Sequence, residues 1–293
     1  LKQPGERRTG THPEGMDGDS LGFQSQAILV ELLYARIFCR DFLSMKGLDA
    51  SMHSKYPIEA LTFDVGYTLF DDKRLVSAAL PAVYDWLRKQ GFQGKIDQFL
   101  DRYYYFDRLL DNPAFSHTYG EPAIWGPILK DLGLEHISAD DLLKEYRTHL
   151  LNQLGPSVRE LEALQWAKQQ GLKLGLITNE RAIRINTFIN HAGFRPLLDS
   201  IVISEERRVG KPSPQFFQMA LDELQVPAQS VIHFGDNEIT DGACKNLGMR
   251  FVLVTGYKDP DHTWGEGNAE TPDHIIEYIT RESLEQCLRV ITR

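Results

Sequence analysis

The chain has 293 residues, of which 42% are hydrophobic, and carries a formal net charge of -9. That length allows one large or two small domains with a substantial core, and the negative balance argues against a nucleic-acid or anionic-membrane surface, because phosphate-backbone binding relies on accumulated Lys and Arg. Three cysteines, Cys39, Cys244 and Cys287, are widely spaced with no metal-type pair, so a reducing compartment and a cytoplasmic location are the default.

Residues 1 to 25 are Gly-rich and polar with little periodicity and are expected to be disordered. Ala27 to Leu43 is strongly apolar, but Glu31, Arg36, Arg40 and Asp41 interrupt it. A membrane span wants about 20 mostly apolar residues, so this stretch reads as a docking or interfacial helix without stable membrane insertion. Residues 1–57 are therefore set apart as a leader, partly disordered with one apolar helix, and organelle targeting by it stays open.

The first core strand is Ala60 to Phe63, a continuous apolar run that ends in Asp64-Val65-Gly66-Tyr67-Thr68. Some 110 residues then separate this segment from the next one of its kind, too many for a simple crossover. They read as four helices, Leu75–Lys89, Ile96–Asp111, Pro122–Leu132 and Ala139–Leu154. Ser138 with Asp141 three residues on is a variant capping box, and Gly91 and Gly133 stand where helices should stop. Within this stretch Tyr103, Tyr104, Tyr105 and Arg108, and farther on His117, Tyr119 and Trp125, form aromatic clusters that read mainly as core.

After residue 154 the core resumes. A helix from Ser157 to Gln170 leads to a strand from Leu172 to Ile177, followed by Thr178-Asn179-Glu180 and a helix from Ala182 to Ala192. Ser200–Ile203 is a strand, Pro214–Leu224 a helix, and Val231–Phe234 a strand ending in Gly235-Asp236; Ile239–Leu247 reads as a helix and Phe251–Val254 as a further strand. His274–Ile279 is expected at the sheet edge before a last helix. Apolar runs alternating with helices are the pattern of a parallel sheet covered on both faces, and the fold class is a doubly wound α/β core, residues 58–74 and 155–293, with an all-helical insertion at 75–154. In such sheets ligands sit beyond the carboxyl ends of the strands.

Polar residues at those strand ends carry the chemistry. Asp64 is a plausible carboxylate nucleophile, since carboxylates form aspartyl-phosphate and split one hard displacement into two easier ones. Asp236 and Asp241 can join it in presenting hard oxygens to Mg²⁺. Thr178 and the N–H groups after it are placed to meet a phosphate, while Lys211, in Gly210-Lys211-Pro212, adds a point charge to neutralise the transition state. Each has a plainer reading: a solvated strand-end Asp, a helix cap, a first-turn charge, a surface Lys.

The order and residue types of these segments resemble the haloacid dehalogenase superfamily of phosphatases and phosphoryl transferases, over roughly residues 58 to 280. The resemblance implies a Rossmann-like core with a helical cap that closes over the site, and the subgroup with an eccentric first motif. It implies Asp64 as nucleophile with Lys211 as its catalytic partner, and Thr68, Thr178, Asn179 and Lys211 binding the phosphoryl group. Asp64, Asp236, Asp241 and the carbonyl of Gly66 would hold Mg²⁺. Glu180 is an unusual negative neighbour for that turn, one that would disfavour highly anionic substrates.

Gly66 is the departure. Members of that superfamily place an acid there, which protonates the leaving oxygen and then activates water. Glycine keeps the carbonyl and loses the acid, so metal binding is expected to survive and proton transfer to suffer, by about a hundredfold to ten-thousandfold. Tyr67 is a poor substitute, with a phenol pKa near 10. The expectation is an attenuated Mg²⁺-dependent hydrolase of a small phosphorylated metabolite. Two alternatives stay open: a protein that binds a phosphorylated ligand without turnover, and, at a distance, a haloacid dehalogenase, which would be metal-free and lack Asp236.

Overall fold

The computed structural model describes residues 57–110, 120–154, 157–258 and 267–291. The expected leader helix and the His117–Tyr119 cluster lie outside them. The core is a single sheet of six parallel strands: β1 Ala60–Phe63, β2 Lys173–Thr178, β3 Ser200–Ile203, β4 Val231–Gly235, β5 Arg250–Val254 and β6 His274–Ile276. Their spatial order is β3-β2-β1-β4-β5-β6. The chain therefore builds outward from β1 on one side, then returns to build β4 to β6 on the other. The crevice between β1 and β4 is the point where strand order reverses, the place where such sheets hold ligands.

Alternating side chains point to opposite faces of a strand, and both faces here are apolar. Leu61, Phe63, Leu174, Leu176, Ile232 and Phe234 share one core with Ala163, Leu164, Ile185, Phe188, Leu284 and Leu288. These come from helices α5 Val158–Gln169, α6 Ala182–His191 and α8 Arg281–Ile291. Ala60, Ile177, Val202 and Val231 pack on the other face with Phe216, Phe217 and Leu221 of α7, Pro214–Leu224. Phe63 stacks on Phe234 across the β1–β4 pair at 5.1 Å between ring centroids.

Between β1 and β2 run four helices, α1 Asp72–Lys89, α2 Ile96–Leu110, α3 Gly120–Asp131 and α4 Ala139–Gln153. Ser138 caps α4 by accepting from the Asp141 N–H at 3.4 Å, and Gly91 and Gly133 take left-handed φ angles of 106° and 69° at helix ends, which glycine adopts without steric cost. Trp125 is fully buried with Tyr103 and Tyr146 against it, and the two tyrosine hydroxyls lie 3.0 Å apart. Tyr103 is thus core of the helical insertion.

Two boundaries differ from the sequence reading. The helix expected over Ile239–Leu247 is a turn followed by a short 3₁₀ stretch, Gly242–Leu247. The backbone there folds back on Asn237, whose carbonyl accepts from the N–H of both Asp241 and Gly242, and tight bends favour 3₁₀ over α geometry. Helix α1 also starts earlier than its apolar periodicity, at Asp72, capped by Asp71, which accepts from Arg74 N–H at 3.0 Å.

Candidate active site

Parallel register brings the strand ends together. Phe63 pairs with Leu176 of β2 and Phe234 of β4, so Asp64, one residue on, emerges level with Ile177 and Gly235, one residue short of Thr178 and Asp236. The Asp64 N–H still donates to Phe234 carbonyl at 2.9 Å, which fixes where the carboxylate leaves the sheet. Asp64, Asp236 and Asp241 are all buried, and each offers a carboxylate oxygen such that the three lie within 4.8 Å of one another.

Lys211 reaches into this cluster. Its ammonium lies 2.7 Å from Asp64 Oδ1 and 2.6 Å from Asp241 Oδ1, and the residue is 4% exposed. The loop that carries it is clasped by Asn179, whose Oδ1 accepts from Lys211 N–H at 2.7 Å and whose amide donates to the Lys211 carbonyl at 2.8 Å. Asn179 was expected to touch substrate; its side-chain amide holds the lysine loop.

Asp241 is anchored on three sides. Its Oδ1 takes Lys211 and the Nε2–H of His233 at 3.1 Å, and its Oδ2 accepts from the Asn237 N–H at 3.1 Å. His233 lies within β4, wholly buried, and its Nδ1 is 3.0 Å from Thr62 Oγ1 on the paired strand. A carboxylate only accepts, so the proton on Nε2 faces Asp241. Sequence reasoning missed this pair. Its one signal was a histidine inside the apolar run Val231–Phe234. Gly235 is also explained: a Cβ there would run into the Asp241 side chain.

Charge in the cluster is uneven. Burial lifts the Asp64 carboxyl above its ordinary range, Lys211 opposes that and Asp241 adds to it. Asp236 is pushed well up by burial and by Asp241 and Asp64. Asp241 goes down, since Lys211 and His233 overcome its burial. Burial works against the Lys211 ammonium, but Asp241 and Asp64 raise it above its usual value. One ammonium does not balance three carboxylates. Thr68, buried at the end of the first loop, donates to Asp236 Oδ1 at 3.5 Å, and Thr178 is buried at the tip of β2.

The turn after Thr178 departs from expectation. The N–H of Arg181 is taken by its neighbour Glu180 at 2.7 Å and that of Ala182 by Glu205 at 2.9 Å, so the first amides of α6 are already satisfied. Glu180 was read as a bare negative charge; Arg184 pairs with it.

The loop of Gly66 also differs from its sequence reading. Tyr67 sits at φ 54°, a left-handed conformation that is uncommon for a non-glycine residue and costs on the order of 1–3 kcal/mol. The space where a side chain at 66 would start is taken: a Cβ there would lie 2.6 Å from Oδ2 of Asp72. Asp72 is 7% exposed, its Oδ1 is 3.0 Å from Arg184 Nη2, and burial pushes its carboxyl up to about 6, with Arg184 opposing and Glu180 and Asp64 adding. An aspartate at 66 does not fit unless Asp72 gives way.

A six-stranded parallel sheet with helices on both faces, a helical insertion after its first strand, and buried carboxylates with a lysine at the strand-reversal point define a capped, doubly wound α/β protein with an acidic site. Comparison with known proteins agrees. The family model for haloacid dehalogenase-like hydrolases matches residues 126–254, a span that includes Thr178, Lys211, Asp236 and Asp241 but begins after Asp64. The chain is 35% identical to a zebrafish (Danio rerio) haloacid dehalogenase-like hydrolase domain-containing protein 3 over 110 residues, 37% of this chain and 43% of that relative. It is 26% identical to a glyceraldehyde 3-phosphate phosphatase of Methanocaldococcus jannaschii over 76% of this chain and 96% of the relative. Its fold matches a magnesium-bound haloacid dehalogenase-type hydrolase of Bacillus subtilis with a TM-score of 0.59 at 19% identity, covering 79% and 99% of the two chains. The chain thus resembles haloacid dehalogenase-like hydrolases in sequence over part of its length and shares the fold of such proteins, a Rossmann-like core with an inserted helical cap. No helix among the described residues is long and apolar enough to cross a membrane.

Proposed function

We propose that the chain is a Mg²⁺-dependent phosphatase that acts on a small phosphorylated metabolite through an aspartyl-phosphate on Asp64. The observation that carries this reading is the Asp64 carboxylate held 2.7 Å from Lys211 within a cluster of three buried carboxylates. The donor set fits the ion: Mg²⁺ takes carboxylate oxygens, and three buried carboxylates each offer one within 4.8 Å of the others, with a single ammonium among them. Asp64, Asp236 and Asp241 would hold it, with the Gly66 carbonyl beside them. A bound ion supplies electrostatic stabilisation of the charge that builds on the phosphoryl oxygens.

The chain's own groups do the rest. Asp64 presents an oxygen to phosphorus, and Lys211 favours the ionised form of that carboxylate against its burial and offsets charge in the transition state. Thr68 and Thr178 orient the phosphoryl group. Asp241 and His233 fix Lys211, and Asn179 fixes the loop behind it. The relatives named above include a phosphatase of a three-carbon phosphate ester, which supports a small ester as the substrate class.

The absence of a side chain at 66 favours one other reading, a protein that binds a phosphorylated ligand without turning it over. A panel of phosphate esters and an acyl phosphate, assayed with Mg²⁺ and with EDTA, separates the two. Metal-dependent release abolished by Asp64→Asn supports the phosphatase; saturable binding with no release from any substrate refutes it. Retention of Asp236 speaks against a haloacid dehalogenase, and a halide-release assay belongs in the same panel.

A further inference from the structure

We infer that Asp72 is the proton donor and acceptor of this site, with its Oδ2 working from the space that Gly66 leaves open. The inference rests on the phosphatase reading above and names the group that reading lacks.

Displacement at phosphorus by Asp64 expels an oxygen that needs a proton unless it is a weak base, and breakdown of the resulting acyl phosphate needs a base to deprotonate water. The charged groups around the nucleophile are otherwise committed. Lys211 is bound to Asp64 and Asp241, and Asp236 and Asp241 belong to the carboxylate cluster. His233 is wholly buried between Thr62 and Asp241. Asp72 is a buried carboxyl outside that cluster.

Its placement is specific. Oδ1 faces Arg184, which holds it at 3.0 Å, and Oδ2 is turned toward position 66, 2.6 Å from where a Cβ would stand, with Cγ farther away at 3.5 Å. An aspartate grafted at 66 would carry its own carboxyl oxygens about 2.4 Å from its Cβ, from ordinary bond lengths. Asp72 thus delivers a carboxyl oxygen to nearly the same shell around the loop by a different route, from the first residue of α1. A side chain at 66 would exclude it. Gly66 and Asp72 form a matched pair, one giving up the volume that the other fills. Helix-start acids are ordinarily exposed and serve the macrodipole; Asp72 is buried and turned toward the nucleophile's loop.

The step balances without a further reactant. An Asp64 oxygen bonds to phosphorus, the bond from phosphorus to the ester oxygen breaks, and its electron pair takes the proton from Asp72 Oδ2, releasing the alcohol. The Asp72 carboxylate then accepts a proton from water, whose oxygen bonds to phosphorus as the bond to Asp64 breaks. Inorganic phosphate leaves, Asp64 returns as a carboxylate and Asp72 as an acid. Arg184 is a positioning residue, holding Oδ1 so that Oδ2 faces the loop.

The test compares wild type, Asp72→Asn, Asp72→Ala and the double variant G66D/D72A on an alkyl phosphate and on p-nitrophenyl phosphate with Mg²⁺. Trapped phosphoenzyme is measured by acid quench and mass spectrometry. The inference expects Asp72→Asn to lose about a hundredfold to ten-thousandfold on the alkyl ester. It expects a much smaller loss in the rate at which the aryl ester phosphorylates Asp64, with phosphoenzyme accumulating because its hydrolysis is slowed. G66D/D72A should exceed Asp72→Ala on the alkyl ester by at least about tenfold. Equal losses on both esters without trapped phosphoenzyme would assign Asp72 a structural role and overturn the inference, as would unchanged alkyl activity. Should Asp72→Asn fail to fold, the Asp72→Ala and G66D/D72A pair decides, and equal rates in that pair overturn it. Wild type that releases no phosphate from any ester refutes the phosphatase reading and the inference with it, whereas active wild type indifferent to Asp72 refutes the inference alone.

Discussion

The ammonium of Lys211 lies 2.6 Å from Oδ1 of Asp241, an ion pair with both partners almost wholly buried. Removing one partner of a buried pair strands the other charge, at about 3–5 kcal/mol. Lys211→Met should therefore lower the unfolding free energy of metal-free protein by that amount, read as a lower urea midpoint, and abolish phosphate release. Added Mg²⁺ should recover part of the stability and none of the turnover. An unchanged midpoint would show that the pair is not formed in solution.

His233 should prove a support of the same site. Replacing it with Phe leaves Thr62 Oγ1 without its partner and takes one of three from Asp241, a loss of about 1–3 kcal/mol for a buried polar group left unpaired. Combined with Thr62→Val, the cost should be less than the sum of the two single losses, because the two share one hydrogen bond. Denaturation of the four proteins of that cycle measures it; strict additivity would deny the contact.

Gly235→Ala is a sharper probe of the Asp241 position. The added methyl meets the Asp241 side chain, and overpacking a close contact costs about 1–3 kcal/mol. The variant should fold, lose affinity for Mg²⁺ by calorimetry and lose turnover together. Normal metal binding in it would separate Asp241 from the metal site.

These targets were not equally visible in the amino-acid order. Asp64, Thr178 and Asp236 were legible because each follows a continuous apolar run, and a parallel strand of that kind ends at one edge of the sheet. The cap helices were legible from apolar spacing and from Gly91 and Gly133. His233 was not, because a histidine inside a strand looks like any core residue until the register sets Thr62 beside it. Asp72 was hidden for a different reason: an acid at the first position of a helix has an ordinary local explanation, and its burial is set by tertiary contact with Arg184 and the Gly66 loop. The same contact means that a side chain at 66 would have to displace the Asp72 carboxyl. Glu180 changed meaning likewise, since its partner Arg184 is four residues on and needs the helix to face it.

Asp72 also makes a pH-dependent prediction for metal-free protein. Its carboxyl sits at about 6 in the fold against an ordinary 3.8. The folded state binds the proton more tightly, so its contribution is fully present below about pH 4 and is lost as pH rises through about 6. The difference of about two units corresponds to about 3 kcal/mol. In EDTA, Asp72→Asn should be more stable than wild type by up to that amount at about pH 7, and no more stable at about pH 3. The check is urea denaturation of both proteins at each pH; a gap independent of pH would contradict the raised carboxyl.

Nucleophilic attack by Asp64 on phosphorus is checked by quenching the protein during turnover of acetyl phosphate with Mg²⁺ and locating the phosphoryl group by peptide mass spectrometry. Label should appear on Asp64, dependent on the metal and missing from Asp64→Asn. Turnover with label on another residue, or undiminished turnover by Asp64→Asn, would contradict it.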